Sequence, residues 1–326
     1  MVSAMSLSED DLIARYFAPL AGAAGLGLKD DVALMTPPDG ADLALTADAL
    51  VAGVHFFADD PAELIAAKAL RVNLSDLAAK GAKPLGFLLS LALPRGVAES
   101  WLEAFARGLG EDAAAYDCPL LGGDTVETPG PLTLSITALG AVERGRTPTR
   151  MAAKPGDRIY VSGTIGDGAL GLQIRLGKGP ALSEAERDEL IGRYLLPQPR
   201  LGLATALRFA HAAMDVSDGL IGDCAKLLRA SGLGGSLDLR ALPLSPAARA
   251  YIAADPSGLE IAATGGDDYE VLATVPPASA AAFETAAAAA GVAVRALGEV
   301  AQGAGLSVVG LDGAPAQFAR GSYSHF

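Results

Sequence analysis

Met214-Asp215-Val216-Ser217-Asp218-Gly219-Leu220 holds the plan of the chain in seven residues. The apolar run ending at Val216 reads as a strand, Ser217 to Gly219 as a turn, and Leu220 to Ala230 as a helix by its apolar spacing. Two aspartates straddle Ser217 just before a helix amino terminus, a place that can face phosphate. Strands and helices alternate outward from it. Toward the carboxyl end, Glu270 to Val275 reads as a strand that passes through Pro276-Pro277 into an alanine-rich helix. Toward the amino end, Glu184 to Leu195 and Asp167 to Leu176 read as helices and Ile159 to Val161 as a strand.

Farther upstream, Leu43 to Thr46 reads as a short strand. Pro61 to Ala79 reads as a helix with proline suited to its first turn. Leu85 to Leu93 and Leu132 to Val142 are strands on either side of an amphipathic helix, Val97 to Tyr116. The pattern predicts a mixed α/β (α+β) protein without the regular spacing of a Rossmann sheet. Glycine, proline and basic residues interrupt the apolar periodicity in RGRTPTRMAAKPGD, Arg144 to Asp157. A length of 326 residues favours two domains, expected at 1–148 and 149–326.

Composition narrows the partners. The 38 acidic and 25 basic side chains leave a net charge of -13, which repels nucleic acid and anionic lipid. The alanine-rich run from Ala278 to Ala290 is too short to span a bilayer and contains Glu284. Met1 to Asp10 lacks a basic stretch followed by an apolar one, so a cytoplasmic location is expected. Cys118 and Cys224 are too few for a disulfide scaffold and read as small buried hydrophobes. With only three histidines, the abundant aspartate points to a hard cation such as magnesium or calcium.

The aspartates occur in clusters. Lys29-Asp30-Asp31 offers adjacent carboxylates, or an exposed turn. Thr46-Ala47-Asp48 follows an apolar segment, where ligands gather in α/β structures and where Asp48 serves equally well as a turn cap. His55, in GVHFF, reads as a packed histidine or a phosphate contact. Asp76, in Asn73-Leu74-Ser75-Asp76, lies in an apolar helical run, where a carboxylate needs a hydrogen bond or a cation; Lys80, four residues on, is the local alternative. Leu121-Gly122-Gly123-Asp124-Thr125 reads as flexible backbone that can approach phosphate with Asp124 holding a cation, or as a simple turn. Thr264-Gly265-Gly266-Asp267-Asp268-Tyr269-Glu270 reads as a backbone-rich substrate loop, or as a tight turn. No GxxxxGK[ST] segment and no kinase HRD or DFG set is present, so phosphate chemistry would need another fold.

Taken in order, LIARYF (12–17), KDDVA (29–33), LTADALVAGVHF (45–56), KALRVNLSDLAAKGAKP (68–84), LGGDT (121–125), KPGD (154–157), MDVSDGL (214–220), TGGDDYE (264–270) and YSHF (323–326) resemble the bacterial thiamine-monophosphate kinases over nearly the whole chain. The resemblance implies the two-domain fold shared with aminoimidazole ribonucleotide synthetase. It further implies an amino-terminal domain that binds metal and ATP and forms a homodimer. The implied reaction is magnesium-dependent transfer of the γ-phosphoryl group of ATP to thiamine monophosphate. Asp31, Thr46, Ala47 (through its backbone), Asp48, Asp76, Asp124, Asp215 and Asp218 match magnesium-ligand positions, and Asp48, Asp76, Asp124 and Asp215 are expected to be catalytic. Gly123, Asp124, Arg150 and Ser217 fall at the nucleotide; His55, Asp267 and Tyr323 match substrate contacts. The family more often has glutamate at Asp267 and a glycine before the acids where this chain has Lys29. An aminoimidazole ribonucleotide synthetase-like enzyme and a non-catalytic acidic metal-binding scaffold are the competing readings. A selenophosphate synthetase is disfavoured because no cysteine precedes Cys118.

Overall fold

Thr46-Ala47-Asp48 lies in the middle of a strand rather than past its end. In a computed structural model, which describes residues 8–318 and 321–323, β1 runs over Ala41–Val51 and pairs antiparallel along its whole length with β4, Thr133–Glu143. With β2 (Lys83–Pro94) and β3 (Leu120–Thr128) they form a four-stranded sheet in the order β1-β4-β2-β3. LGGDT likewise belongs to strand β3, not to a turn. Gly123 sits at φ 155°, and a Cβ there would lie 1.8 Å from the Leu89 carbonyl oxygen, so glycine is what lets β3 approach β2 this closely.

Alternation sorts the two faces. Leu134, Ile136 and Ala138 of β4 and Phe87, Leu89 and Leu91 of β2 are buried on one face, which also carries Thr46 and Asp48. Helices α1 (Ala62–Ala79) and α2 (Glu99–Ala115) supply Leu70, Leu74, Leu77, Leu102, Phe105 and Leu109 to this core. The other face presents Leu43, Leu45, Leu88 and Val126, at 39%, 64%, 39% and 49% exposure, together with Ser90 and Asp124. These elements make one compact unit, the chain up to Leu77 with Ala82–Gly145.

The second unit comprises Ala78–Gly81 and the chain from Arg146 onward. Its sheet has the order β10-β7-β9-β5-β8-β6, formed by β5 (Arg158–Ser162), β6 (Ala212–Val216), β7 (Gly234–Asp238), β8 (Glu270–Val275), β9 (Val294–Ala301) and β10 (Gly305–Val309). The helices are α3 (Asp167–Arg175), α4 (Glu184–Leu195), α5 (Leu220–Ala230), α6 (Pro246–Ala254), α7 (Gly258–Thr264) and α8 (Ala280–Ala289). Period-two alternation divides the strands between two cores. Ile159, Val161, Met214, Val216 and Leu272 pack with Leu220, Leu227 and Leu228 of α5, whereas Tyr160, Ala213, Val271 and Ala273 pack with Phe283 of α8. Both cysteines are buried, and burial pushes each thiol up to about 12. Among the described residues no helix is long and apolar enough to cross a membrane.

Contact between α1 and α2 depends on Gly108, where a Cβ would lie 2.4 Å from the Glu63 carbonyl oxygen. Gly108→Ala must push these helices apart, and we expect a loss of about 2 kcal/mol. Urea denaturation read by circular dichroism should show it, with Gly192→Ala, also inside a helix but meeting no atom within 4 Å, as the control that gains helix propensity without a clash.

Candidate functional site

In the first unit, β1 and α1 carry three of the expected residues to one place. Thr46 Oγ1 donates to Asp76 Oδ2, and the Asp48 N–H donates to Asn73 Oδ1 at 3.1 Å, so one helical turn of α1 braces β1 at its two candidate ligands. Asn73 is fully buried and itself donates from Nδ2 to the Ala69 carbonyl at 3.0 Å. Ser135 Oγ donates to the Asp48 carbonyl at 3.0 Å. Ala47 points to the opposite, exposed side of β1.

Asp124 is held elsewhere. It is exposed on β3, in register with Ser90, on the open face of the sheet. The sheet order puts β3 three strand spacings, about 14 Å, from β1. Within one copy of the chain, Asp48 and Asp124 therefore do not share an ion. Gly123 and Asp124 border a pocket walled by Phe17, Leu28 and Leu89. Lys29, Asp30 and Asp31 are exposed in a loop. The Val51 N–H donates to His55 Nδ1 at 3.0 Å, which leaves Nε2 as the ring nitrogen that carries the proton of a neutral imidazole.

The second unit gathers Asp215, Ser217, Asp218 and the TGGDDYE segment. Asp215 lies within β6, which is buried throughout, at 3% exposure, and Ser217 and Asp218 are half-buried in the turn that follows. The amides of this turn are not offered to a phosphate. Those of Ser217, Asp218 and Gly219 all donate to Oδ2 of Asp223, a fully buried carboxylate on α5, at 3.1, 2.9 and 3.2 Å. Lys226 bridges Asp218 and the other oxygen of Asp223. Burial raises the Asp223 carboxyl above its ordinary range against the pull of Lys226. Burial would lower the Lys226 ammonium, yet its bonds to Asp218 and Asp223 raise it overall.

Gly265 to Tyr269 link α7 to β8, with Asp267 and Tyr269 at φ 70° and 52°, the left-handed region that is strained for both. Residues alternate along it. Asp267 and Tyr269 are half-buried, whereas Asp268 and Glu270 turn inward and are buried. Both oxygens of Asp268 accept from the Gly166 N–H at 2.9 Å, and burial holds its carboxyl well above the usual range. Glu270 accepts from Ser162 Oγ at 2.6 Å, Arg193 Nη2 at 2.9 Å and Arg200 Nε at 2.7 Å. Tyr323 is 51% exposed, while Ser324 to Phe326 of the YSHF stretch lie outside the described residues. Arg150 is exposed, and its carbonyl accepts from Ser231 Oγ at 2.9 Å.

The aspartate pattern missed Asn73, Asp223 and the Glu270–Arg193–Arg200 group. An acid on the apolar side of α5 and an asparagine within the apolar run of α1 were the available signals. Nothing in the spacing of Arg193 and Arg200 joins them to Glu270, about 70 residues away.

The AIR synthase related protein, N-terminal domain family matches residues 29–142, and its C-terminal domain family matches 154–310. The thiamine-monophosphate kinase of Caulobacter vibrioides is 48% identical over 306 residues, 92% of this chain and 86% of the relative. That of Escherichia coli K12 is 43% identical over 99% of both. The chain belongs to the thiamine-monophosphate kinase family. Among solved thiamine-monophosphate kinases, the one from Stenotrophomonas maltophilia matches with a TM-score of 0.82 and 39% identity over 97% of this chain and 100% of its own. AaThiL, solved in complex with AMPPCP and TMP, matches at 0.78 and 31% over 99% of both chains. The hydrogenase maturation protein HypE of Escherichia coli shares the fold, at a TM-score of 0.77 and 23% identity over 96% of this chain and 98% of its own. The two-domain fold expected from the motifs is thus the observed one.

The charge of Glu270 compensates two arginines that are mostly buried, with side-chain exposures of 12% and 20%. Glu270→Gln leaves both guanidinium groups without it, and we expect a loss of about 3 kcal/mol or more. Urea denaturation checks this against Glu299→Gln, an exposed position that should be near neutral.

Proposed function

We propose that this chain transfers the γ-phosphoryl group of ATP to thiamine monophosphate, giving thiamine diphosphate and ADP. The supporting observation is identity with thiamine-monophosphate kinases along the full chain, joined to the solved complex of AaThiL with AMPPCP and TMP. Every candidate donor is an oxygen: the carboxylates of Asp31, Asp48, Asp76, Asp124, Asp215 and Asp218, the Thr46 hydroxyl and the Ala47 carbonyl. That chemistry fits magnesium, which prefers hard oxygen ligands and keeps part of its water. Among the described residues no three His, Cys, Asp or Glu side chains are grouped closely enough to hold an ion by themselves. Substrate phosphate oxygens would therefore supply part of the coordination. The separation of Asp48 from Asp124 favours several ions over one. Bound magnesium would neutralise phosphate charge and stabilise the charge that develops on transfer.

The protein's own groups have distinct tasks. Asp48, Asp76, Asp124 and Asp215 are the proposed catalytic carboxylates, fixed before substrate arrives by the Asn73 brace and by the strands and helix that bear them. Gly123 gives the nucleotide close access to backbone, Ser217 offers a hydroxyl, and Arg150 adds positive charge for the polyphosphate. His55, through Nε2, and Asp267 contact thiamine monophosphate, and the Tyr323 ring covers the cationic thiazolium. The acceptor is already an anionic phosphate, so no strong general base is required.

A homodimer through the open face of the first sheet is part of the proposal. Leu43, Leu45, Leu88 and Val126 form an apolar surface on that face, and a second copy is the occupant that family resemblance supports.

Product analysis tests the reaction. The purified protein should form thiamine diphosphate and ADP only with a divalent cation present, and an acidic scaffold would bind cation with no turnover. Asp124→Asn should keep the apo melting temperature and lose at least about a hundredfold in kcat/KM, roughly 2.7 kcal/mol of transition-state stabilisation. A folded variant with near-native turnover would return Asp124 to a structural role. Light scattering should report a dimer for the native chain and a monomer for Leu45→Glu, which places a charge on the apolar face.

A further inference from the structure

Three consecutive peptide units, joining Val216 to Gly219, divide their two polar ends in a regular way. Their N–H groups all point to Oδ2 of Asp223. Their carbonyls, from Val216, Ser217 and Asp218, accept in turn from the amides of Tyr269 at 2.8 Å, Asp267 at 3.0 Å and Tyr323 at 3.0 Å. One buried oxygen on α5 thus stands behind the backbone bonds that tether both segments carrying the proposed thiamine-side residues.

A trans peptide is planar and its N–H and C=O point in opposite directions, so fixing one end aims the other. A carboxylate at the N–H also polarises the unit and makes its carbonyl a stronger acceptor. No side chain can cushion these contacts. A Cβ at Gly266 would lie 2.4 Å from the Ser217 carbonyl oxygen, one at Gly219 2.4 Å from that of Thr264, and one at Gly222 2.2 Å from Ser322 Cβ. At Gly266 and Gly219 the segments meet backbone to backbone, so the position of the three peptide units sets the position of what is attached to them.

We propose that Asp223 is a positioning residue for the transfer reaction. Its charge, relayed through three peptide units, holds the Asp267 and Tyr323 segments in register with the loop that bears Asp215 and Asp218. Lys226 supplies the counter-ion that keeps the carboxylate effective in a buried place. The role assigned to those segments rests on the thiamine-monophosphate kinase reading; the mechanical link does not.

Amide hydrogen exchange on the ligand-free protein, followed by mass spectrometry, tests the link separately from the reaction. Asp223→Asn keeps the shape and removes the charge. Exchange should quicken about tenfold in peptides covering Gly265–Tyr269 and Tyr323, while Arg158–Ser162 and Val271–Val275 stay at native rates. The KM for thiamine monophosphate should rise about tenfold, and adding thiamine monophosphate should no longer slow exchange in those peptides to the native extent. Unchanged exchange in the two segments, or equal quickening in β5 and β8, would overturn the proposal. If Asp223→Asn does not fold, Lys226→Gln decides: it retains the acceptor oxygen, and quickening confined to the same two segments is expected, whereas native rates there overturn the idea. Native protein that transfers no phosphate would refute the functional reading alone, because the exchange pattern would still decide the link.

Discussion

A carboxylate taken out of water has to be met by donors, and in the second unit this requirement fixes the shape of the candidate site. Asp223, Asp268 and Glu270 are all buried, and each is satisfied differently: by three turn amides and a lysine, by the amide of Gly166, and by two arginines and a serine. Losing a partner from such a group costs more than an ordinary hydrogen bond contributes, since the desolvation penalty remains. The surrounding backbone is consequently held to one arrangement, including the left-handed conformations of Asp267 and Tyr269. Strain of that kind persists only where neighbouring structure over-determines it.

The first unit reaches rigidity by another route. Its sheet is a continuous ladder, and β1 carries Thr46 and Asp48 within eleven paired residues. Strand geometry leaves little freedom to either residue, and the hydrogen bonds from α1 use the rest. Gly108 and Gly123 allow the helices and strands to approach closely, and neither tolerates a side chain without moving a neighbour's backbone. Thr46, Asp48, Asp76 and Asp124 thus sit on regular elements, where position is better defined than on loops.

In the second unit the half-buried Asp218 lies next to the fully buried Asp223. Asp223, Asp268 and Glu270 have their charge met by protein donors. Asp218 stands at the edge of the Asp223 network, half-buried in the turn before α5. Lys226 touches both kinds of group, as it bridges Asp223 and Asp218.

The long amphipathic and apolar segments were legible in the sequence because their periodicity reflects burial on one face or both. The predicted helices at Pro61 to Ala79, Glu184 to Leu195 and Leu220 to Ala230 and the strands at Leu85 to Leu93 and Glu270 to Val275 correspond closely to observed elements. Glycine misled the reading of LGGDT, because local rules treat paired glycines as a turn and cannot see a neighbouring strand pressing on them. The strand Gly234–Asp238 was missed for the same reason, since the backbone of Glu299 packs against Gly235. Motif order determined the family, as it depends only on which residues stand where. What the tertiary structure decided was which groups meet. Asp223 faces three amides, Glu270 meets Arg193 and Arg200, and β1 and β3 set Asp48 and Asp124 on different faces of a sheet. Each of these follows from chain segments distant in sequence being packed together, and no local pattern encodes such contacts.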